Sequence, residues 1–147
     1  MPVKLTRYTD YALRILIYLG THEGVVPTRT IAEAYGISIH HVTKAAKQLT
    51  EMGLVRAQRG KHGGIQLEKR PESIRLGWVV RRTEPGLDLV ECFDVSNSTC
   101  PLTPACGLKG ALKEAQDAFL GALDDVTLAD ILGNRARLRK LLGSGAG

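Results

Sequence analysis

Three cysteines lie within fifteen residues of one another, and the chain contains no other cysteine. They are Cys92, Cys100 and Cys106, in a stretch rich in serine, threonine, asparagine and proline that favours a loop over regular structure. In a reducing compartment, an odd number of clustered thiols is more typical of metal or redox chemistry than of disulfide bonds. The sequence therefore predicts a thiolate site on a loop. The alternative is three unrelated buried or surface thiols.

The spacing of these cysteines favours an iron–sulfur cluster over a structural zinc site. Zinc ligands usually occur in pairs two to four residues apart, whereas seven residues separate Cys92 from Cys100 and five separate Cys100 from Cys106. Wide spacing on a loop suits a cluster held by several thiolates. Cys106 also precedes a predicted helix, whose start favours negative charge. The fourth ligand stays open, because all four histidines lie in the front half of the chain.

The charge of the chain is distributed unevenly. Residues 1–70 contain eleven lysines and arginines against five acidic residues, a net charge of +6, whereas residues 71–147 contain nine against ten, a net charge of −1. A basic front half favours an anionic partner such as nucleic acid. Aromatic residues make up only 5% of the chain, which argues against a protein that stacks single-stranded bases.

Several classes of protein are disfavoured by what the sequence lacks. No apolar run approaches the roughly 20 residues of a membrane-spanning helix, and the first ten residues are polar. We therefore expect a cytoplasmic protein without a membrane partner. The chain has neither a Cys-x-x-Cys motif nor a glycine-rich cofactor motif, so we do not expect an enzyme such as a thiol oxidoreductase.

The front half predicts a winged helix-turn-helix. Helices are expected over residues 8–20, capped by Thr9, then from Thr28 to a stop at Gly36, and from the cap Ser38 to residue 52. A helix, a glycine-containing turn and a second helix form the helix-turn-helix pattern. Two short strands, over residues 54–58 and 64–67, flank a glycine-rich hairpin that reads as the wing.

This module offers residues for reading double-stranded DNA. A helix that enters the major groove needs small and polar residues near its start, and the helix N-terminus and the wing can meet phosphates. The candidates are Ser38, His40, His41, Lys44 and Lys47 on the third helix, Thr28 and Arg29 at the start of the second, and Arg59, Lys61 and His62 in the wing. The alternative is a winged helix that binds protein, which the charge of +6 weighs against.

The back half predicts a long amphipathic helix behind the cysteine loop. We expect a helix over residues 73–83 with Ile74, Trp78 and Val79 facing inward, a short extended segment over residues 87–93, a helical turn over residues 127–132 and a frayed tail from residue 135. The long helix covers residues 108–123, and its apolar stripe fits either a dimer interface or a monomer core. That stripe consists of Leu108, Leu112, Ala115, Phe119 and Ala122.

The predicted fold is therefore mainly α with a small β wing. Three segments are expected: a winged helix-turn-helix lobe over residues 1–70, a cluster-binding loop and dimerisation helix over residues 71–135, and a flexible tail over residues 136–147. The Arg70-Pro71 pair marks the first boundary.

Several segments along the chain, taken together, are specific enough to indicate a protein family. They are residues 5–14 (LTRYTDYALR), Ile31-Ala32 and Val42, the wing residues 59–67 (RGKHGGIQL), and residues 89–94 (LVECFD). With these segments the chain resembles the NsrR-type nitric-oxide-sensing repressors and their winged-helix relative IscR. The Glu-Cys-Phe segment points to the first of these. The resemblance implies a homodimer that crosses at the long helix.

The resemblance also implies a ligand set. The cluster in similar proteins is most often a [4Fe–4S] centre, with [2Fe–2S] in some relatives, and its ligands match Cys92, Cys100, Cys106 and Asp10 of the partner subunit, with Arg14 near the cluster. From the residues alone, the favoured interpretation of Asp10 is an early-helix carboxylate stabilised by the helix dipole, and the ligand role is what the resemblance adds. Two features depart from the pattern: Gly107 stands where IscR-like proteins carry a histidine, and the gap before Cys100 is slightly long.

The function that follows as an expectation is a DNA-binding transcriptional repressor. Its binding to a two-fold-symmetric operator would be controlled by a cluster that reacts with nitric oxide. Alternatives are a related cluster-based regulator that senses iron or redox status, a metal-free thiol redox switch and a heavy-metal sensor.

Overall fold

The computed structural model describes residues 4–87, 89, 93, 94, 96 and 98–143. Within these residues the helices and strands are α1 (Arg7–Thr21), α2 (Thr28–Tyr35), α3 (Ile39–Glu51), β1 (Val55–Gln58), β2 (Gly64–Leu67), α4 (Leu76–Thr83), α5 (Gly107–Asp124), α6 (Leu128–Leu132) and α7 (Arg135–Leu141). Short 3-10 turns cover Pro71–Ser73 and Thr103–Ala105. None of the helices described is long and apolar enough to cross a membrane.

The helix-turn-helix is built as its sequence predicts. Helix α3 buries its apolar residues at helical spacing against α1 and α2, and the Ser38 side chain caps it by accepting a hydrogen bond from the His40 amide, at 3.1 Å. Gly36 ends α2 with a φ of 65°, a left-handed conformation that favours glycine. The buried residues of α3 are Val42, Ala45, Ala46 and Leu49.

The predicted cap of α1 was wrong by three residues. Thr6 occupies the cap position and accepts from the Thr9 amide at 3.3 Å, whereas Thr9 lies inside the helix and is fully buried. The Thr9 hydroxyl donates instead to Glu84, 75 residues further along the chain. Because that contact is long-range, local sequence could not reveal it.

The wing is a two-stranded antiparallel hairpin. Val55 pairs with Leu67 and Gln58 with Gly64, so residues 59–63 form the tip. The connector before α2 joins this hairpin, because Val26 and Ile65 exchange backbone hydrogen bonds of 2.8 Å. A Cβ atom at Gly64 would lie 2.5 Å from the carbonyl carbon of Val26, so the close approach requires glycine.

Helices α4 and α5 pack closely. A Cβ atom at Gly77 would lie 2.7 Å from the backbone nitrogen of Asp124, and Arg81 forms a 2.7 Å ion pair with the Asp124 carboxylate. The expected inward orientation holds for Ile74 but not for Trp78. Trp78 is 36% exposed and its ring lies 4.3 Å from the Arg82 guanidinium carbon.

The prediction of a frayed tail from residue 135 is wrong for residues 135–141, which are helical. Residues 135–141 form helix α7, which the Asn134 side chain caps by accepting from the Arg137 amide at 3.0 Å. Leu138 and Leu142 pack against the core, and Arg139 donates to the Thr21 carbonyl oxygen at 2.8 Å. The packing of these two leucines against the core stabilises the helix although glycine-rich sequence follows it.

The architecture is mostly helical with one small hairpin, which confirms the predicted fold class. The buried core is continuous, since Ile74, Leu128 and Leu132 join the residues of α1–α3 in one cluster.

Candidate functional site

Two of the three cysteines, Cys100 and Cys106, lie in the described segment that leads into α5. Cys106 is the residue that precedes the first turn of α5, and the 3-10 turn Thr103–Ala105 connects it back towards Cys100. Both side chains are half-buried, and the Cys100 amide donates to the Ser98 hydroxyl at 3.4 Å. Cys92, the third predicted ligand, lies outside the described residues.

A metal group cannot be assembled from the described residues alone. They contain no group of three histidine, cysteine or carboxylate side chains close enough together to hold a metal ion. They also contain only two of the three thiols of the sequence. Whether these residues suit an iron–sulfur cluster is therefore judged from the chemistry of their side chains. Thiolates are the ligands that hold iron–sulfur clusters. Cys100 lies on irregular backbone, and Cys106 directly precedes α5, where the helix start favours a thiolate.

Asp10 lies in the first turn of α1 and pairs with Arg14 one turn later. The Arg14 guanidinium donates to both Asp10 carboxylate oxygens, at 3.0 and 3.1 Å. The two side chains are 46% and 41% exposed, and exposed pairs of this kind contribute little to stability. The carboxylate can therefore exchange Arg14 for another cation at small cost.

Tyrosine rings hold Arg14 in place. Its guanidinium carbon lies 5.8 Å from the centre of the Tyr11 ring and 5.7 Å from that of Tyr35. The Tyr35 hydroxyl donates to the Arg14 carbonyl oxygen at 2.7 Å. Burial raises the pKa of Tyr35 to about 12, so this hydroxyl stays protonated at physiological pH.

Two tyrosines near Asp10, Tyr8 and Tyr11, contact helix α3. The Tyr8 hydroxyl donates to the Lys44 carbonyl oxygen at 3.3 Å, and the Lys44 ammonium lies 5.6 Å from the Tyr8 ring centre. The Tyr11 ring lies 5.9 Å from the ring of His41. A movement of the first turns of α1 therefore reaches two residues that the sequence assigned to DNA reading.

A carboxylate from the end of α4 fixes the start of α1. Glu84 accepts hydrogen bonds from the Thr6 amide, at 3.1 and 3.2 Å, from the Thr6 hydroxyl, at 2.6 Å, and from the Thr9 hydroxyl. Glu84 directly follows α4 and begins the segment that leads to the cysteines. These hydrogen bonds thus connect the first residue of the segment that leads to the cysteines with the helix turn that contains Asp10.

The predicted DNA-reading side chains share one property, which is exposure. All ten except the half-buried Thr28 are exposed, while the opposite side of α3 is buried. The exposed residues are Arg29, Ser38, His40, His41, Lys44, Lys47, Arg59, Lys61 and His62. They lie on α2, α3 and the wing tip, the surfaces by which winged helices meet nucleic acid.

Most of the apolar stripe of α5 is left exposed by the part of the chain that the structure describes. Among the described side chains of this helix only Leu120 is buried, whereas Leu108 is 64% and Phe119 50% exposed. Of the two interpretations that the sequence left open, the exposure of Leu108 and Phe119 favours the dimer interface over the monomer core. An exposed apolar stripe on an 18-residue helix is typical of an interaction surface.

Comparison of the sequence with models of protein families identifies the family of this chain. The model of the Rrf2 family, described as "Iron-dependent Transcriptional regulator", matches residues 5–134. The chain belongs to the Rrf2 family.

Relatives of similar length share this assignment. The chain is 49% identical to the HTH-type transcriptional regulator NsrR of Geobacillus kaustophilus over 142 residues, which cover 95% of this chain and 97% of the relative. It is 44% identical to the NsrR of Bacillus subtilis, with the same shares covered. The predicted resemblance to NsrR-type regulators is confirmed.

Solved structures of the Rrf2-type fold agree. The IscR of T. potens superposes with a TM-score of 0.71 at 27% identity, covering 90% of this chain and 88% of that one. CymR, described as the global cysteine regulator of B. subtilis, superposes with a TM-score of 0.68 at 28% identity, covering 88% and 96%. These similarities make the chain a transcriptional regulator of the Rrf2 family.

Sequence reasoning missed three features of this Rrf2-family chain. The tyrosines around Asp10 could have been noticed, since Tyr8 and Tyr11 are spaced to flank one helical turn. The role of Glu84 had no local signal, because its partners lie 75 and 78 residues away. Helix α7 was not predicted, because the glycine-rich residues 143–147 that follow it indicated a frayed tail.

Proposed function

We propose that the protein is a homodimeric transcriptional repressor whose binding to operator DNA depends on an iron–sulfur cluster and is relieved by nitric oxide. The observation that carries the proposal is the position of Asp10. Its helix turn touches the recognition helix through Tyr8 and Tyr11, so a ligand role for Asp10 would link a metal site to DNA reading. The iron-dependent description of the family supports the cluster.

The cluster would be held by two chains. Cys92, Cys100 and Cys106 of one chain supply three thiolates, and Asp10 of the partner subunit supplies the fourth ligand. When bound, a [4Fe–4S] or [2Fe–2S] group would supply the iron atoms with which nitric oxide reacts. The exposed stripe of α5 supplies the dimer contact, and Leu108, within this stripe, lies two residues after Cys106.

Asp10 then has two alternative partners, which makes the first turns of α1 a two-state element. In the described arrangement Arg14 holds its carboxylate. Engagement of Asp10 at the other chain's thiolate site would draw the start of α1 towards that chain, and release would return it to Arg14. Because exposed ion pairs are weak, neither state is locked.

The position of α1 sets the position of α3. Tyr8 contacts Lys44 and Tyr11 contacts His41, so displacement of the α1 start changes how α3 is held. A dimer reads two half-sites at a fixed spacing, and the distance between its recognition helices must match that spacing. A change at Asp10 in both chains is therefore sufficient to weaken operator binding.

The test compares Asp10→Ala with Asp117→Ala. Asp117 is a matched control, because it also forms an exposed helical ion pair four residues apart, with Lys113. Protein is prepared anaerobically with its cluster, and binding to a duplex selected from a random-sequence library is measured before and after addition of nitric oxide.

We expect the wild type and Asp117→Ala to release the duplex on nitric oxide addition, and Asp10→Ala to bind it weakly before any is added. Asp10→Ala protein that retains both tight binding and normal release would exclude the role of Asp10. Wild-type protein that binds the duplex equally well with and without nitric oxide would exclude the sensing function.

A metal-free thiol switch is the second candidate. An observation that favours it is the structural similarity to CymR of Staphylococcus aureus in its oxidized form, with a TM-score of 0.71 at 26% identity over 89% of this chain and 97% of that one. Iron and sulfide analysis of anaerobically prepared protein separates the two candidates, because the thiol switch requires neither element.

A further inference from the structure

Helix α7 carries four cations in seven residues. They are Arg135, Arg137, Arg139 and Lys140, and all four are exposed. Among the described residues, Arg139 is the only one of the four whose side chain has a hydrogen-bond partner, the Thr21 carbonyl, and none of the four side chains lies within 4.0 Å of a described carboxylate oxygen. Like charges crowded on a short helix repel one another, so this helix has a surface suited to an anionic partner.

The packing of Leu138 and of Leu142, the residue that follows α7, determines which cations of the helix are available. Leu138 and Leu142, four residues apart, pack against the core, and Arg139 is tied to the end of α1. Arg137 and Lys140, three residues apart, therefore lie on the opposite side of the helix, away from the core. Arg135 stands at the start of the helix, beside the wing strand.

Two recesses connect α7 to the proposed DNA-binding elements. Arg135 and Arg139 line a recess of about 250 Å³ together with Gln66 and Leu67 of the wing strand β2. Arg139 also lines a recess of about 750 Å³ with Pro27 and Thr30 at the start of α2. Through these recesses, which Glu23 also lines, α7 adjoins the wing on one side and the first turn of α2 on the other.

We infer that α7 extends the DNA-binding surface, with Arg135, Arg137 and Lys140 meeting phosphates that flank the segment read by α3 and the wing. This inference rests on the DNA binding of the proposed function. The partner is duplex DNA because the neighbouring elements are those that meet phosphate in winged helices, and because the exposed cations of the helix outnumber its one exposed leucine, Leu141. The family match ends at residue 134, immediately before this helix.

The test neutralises these three cations while leaving Arg139 as the anchor. The variant Arg135→Gln/Arg137→Gln/Lys140→Gln is compared with the control Arg82→Gln/Lys109→Gln/Lys113→Gln, which removes the same charge from α4 and α5. The affinity of the cluster-containing protein for a duplex selected from a random-sequence library is measured over a range of salt concentrations. Circular dichroism confirms that each variant is folded.

Each phosphate contact that is lost lowers the slope of log affinity against log salt by about 0.9. We expect the α7 variant to lose about 1 to 3 in slope per subunit, and the control to keep the slope of the wild type. An α7 variant with the wild-type slope would overturn the inference, and so would equal losses in both variants. If the wild type itself binds no duplex, the proposed function fails first.

Discussion

At the scale of single residues, Glu84 is the side chain on which the start of α1 depends. It accepts hydrogen bonds from the Thr6 amide, the Thr6 hydroxyl and the buried Thr9 hydroxyl. We expect Glu84→Ala to lower the free energy of unfolding by about 2 kcal/mol, because buried donors lose their acceptor. Glu84→Gln should cost less, since it keeps one acceptor oxygen. Urea unfolding measures both.

Glu72→Ala is the control for this prediction. Its carboxylate is 58% exposed and lies 3.8 Å from Arg70, so its loss should change the free energy of unfolding by less than about 0.5 kcal/mol. Equal losses at Glu84 and Glu72 would show that the contacts of Glu84 contribute nothing specific.

Tyr35 provides a prediction with a defined pH dependence. Its hydroxyl donates to the Arg14 carbonyl, and burial raises its pKa to about 12. Because the raised pKa favours the neutral phenol in the folded state, the stabilisation is present below about pH 10 and is lost as the pH rises towards about 12. We expect Tyr35→Phe to be less stable than the wild type by about 1 kcal/mol at neutral pH.

This difference should shrink when unfolding is measured at increasing pH above about 10. Tyr35→Phe removes only the titrating hydroxyl, so the titration of every other group cancels in the comparison. A difference that stays constant from neutral to strongly alkaline pH would contradict the assigned pKa.

At the scale of elements, the contact between α4 and α5 depends on the absence of a side chain at Gly77. A Cβ atom there would lie 2.7 and 2.8 Å from backbone atoms of Asp124, so one helix must shift. We expect Gly77→Ala to destabilise the protein by about 1–3 kcal/mol. Gly110→Ala on α5 is the control, since nothing lies within 4 Å of its Cβ position.

Gly110→Ala should instead stabilise the protein by about 0.5–1 kcal/mol, because alanine is the better helix former. Thermal unfolding of both variants decides the question. If Gly77→Ala is as stable as Gly110→Ala, the close approach of the two helices is incorrect.

Local sequence was sufficient to predict the helices and the hairpin that are determined by caps, turns and apolar spacing. Ser38, Gly36 and the apolar spacing of α3 predicted the helix-turn-helix, and the glycine-rich hairpin predicted the wing. Where contacts are distant in sequence the predictions failed, as at Thr9, whose partner Glu84 lies 75 residues away. The inward orientation of Trp78 failed because the Arg82 side chain covers its ring on the surface.

The candidate site was predictable as a set of residues but not as an arrangement. Cysteine spacing suggested thiolate chemistry, and the resemblance to a known family supplied Asp10 and Arg14. The i, i+4 spacing of these two side chains is the local pattern of a helical ion pair, whereas the contacts of Tyr8 and Tyr11 with α3 required the structure. Those contacts depend on how α1 crosses α3, which no local pattern encodes.

At the scale of the whole molecule, the exposed stripe of α5 predicts a dimer. We expect Phe119→Lys to convert a dimer of 15.9 kDa chains into monomers, because a charge would replace an apolar side chain that is 50% exposed in one chain. Glu114→Lys, off the stripe, should leave the dimer intact. Sedimentation equilibrium measures both, and a Phe119→Lys protein that remains dimeric would place the interface elsewhere.

The proposed function requires that one molecule couple a thiolate-held cluster to DNA reading. The most direct measurement prepares the wild type anaerobically, assays its iron and sulfide, and follows binding to a selected duplex as nitric oxide is added to the same sample. We predict bound iron and sulfide, tight binding at the outset, and loss of binding in parallel with reaction of the cluster. Iron-free protein that binds the duplex as tightly, with or without nitric oxide, would contradict the account.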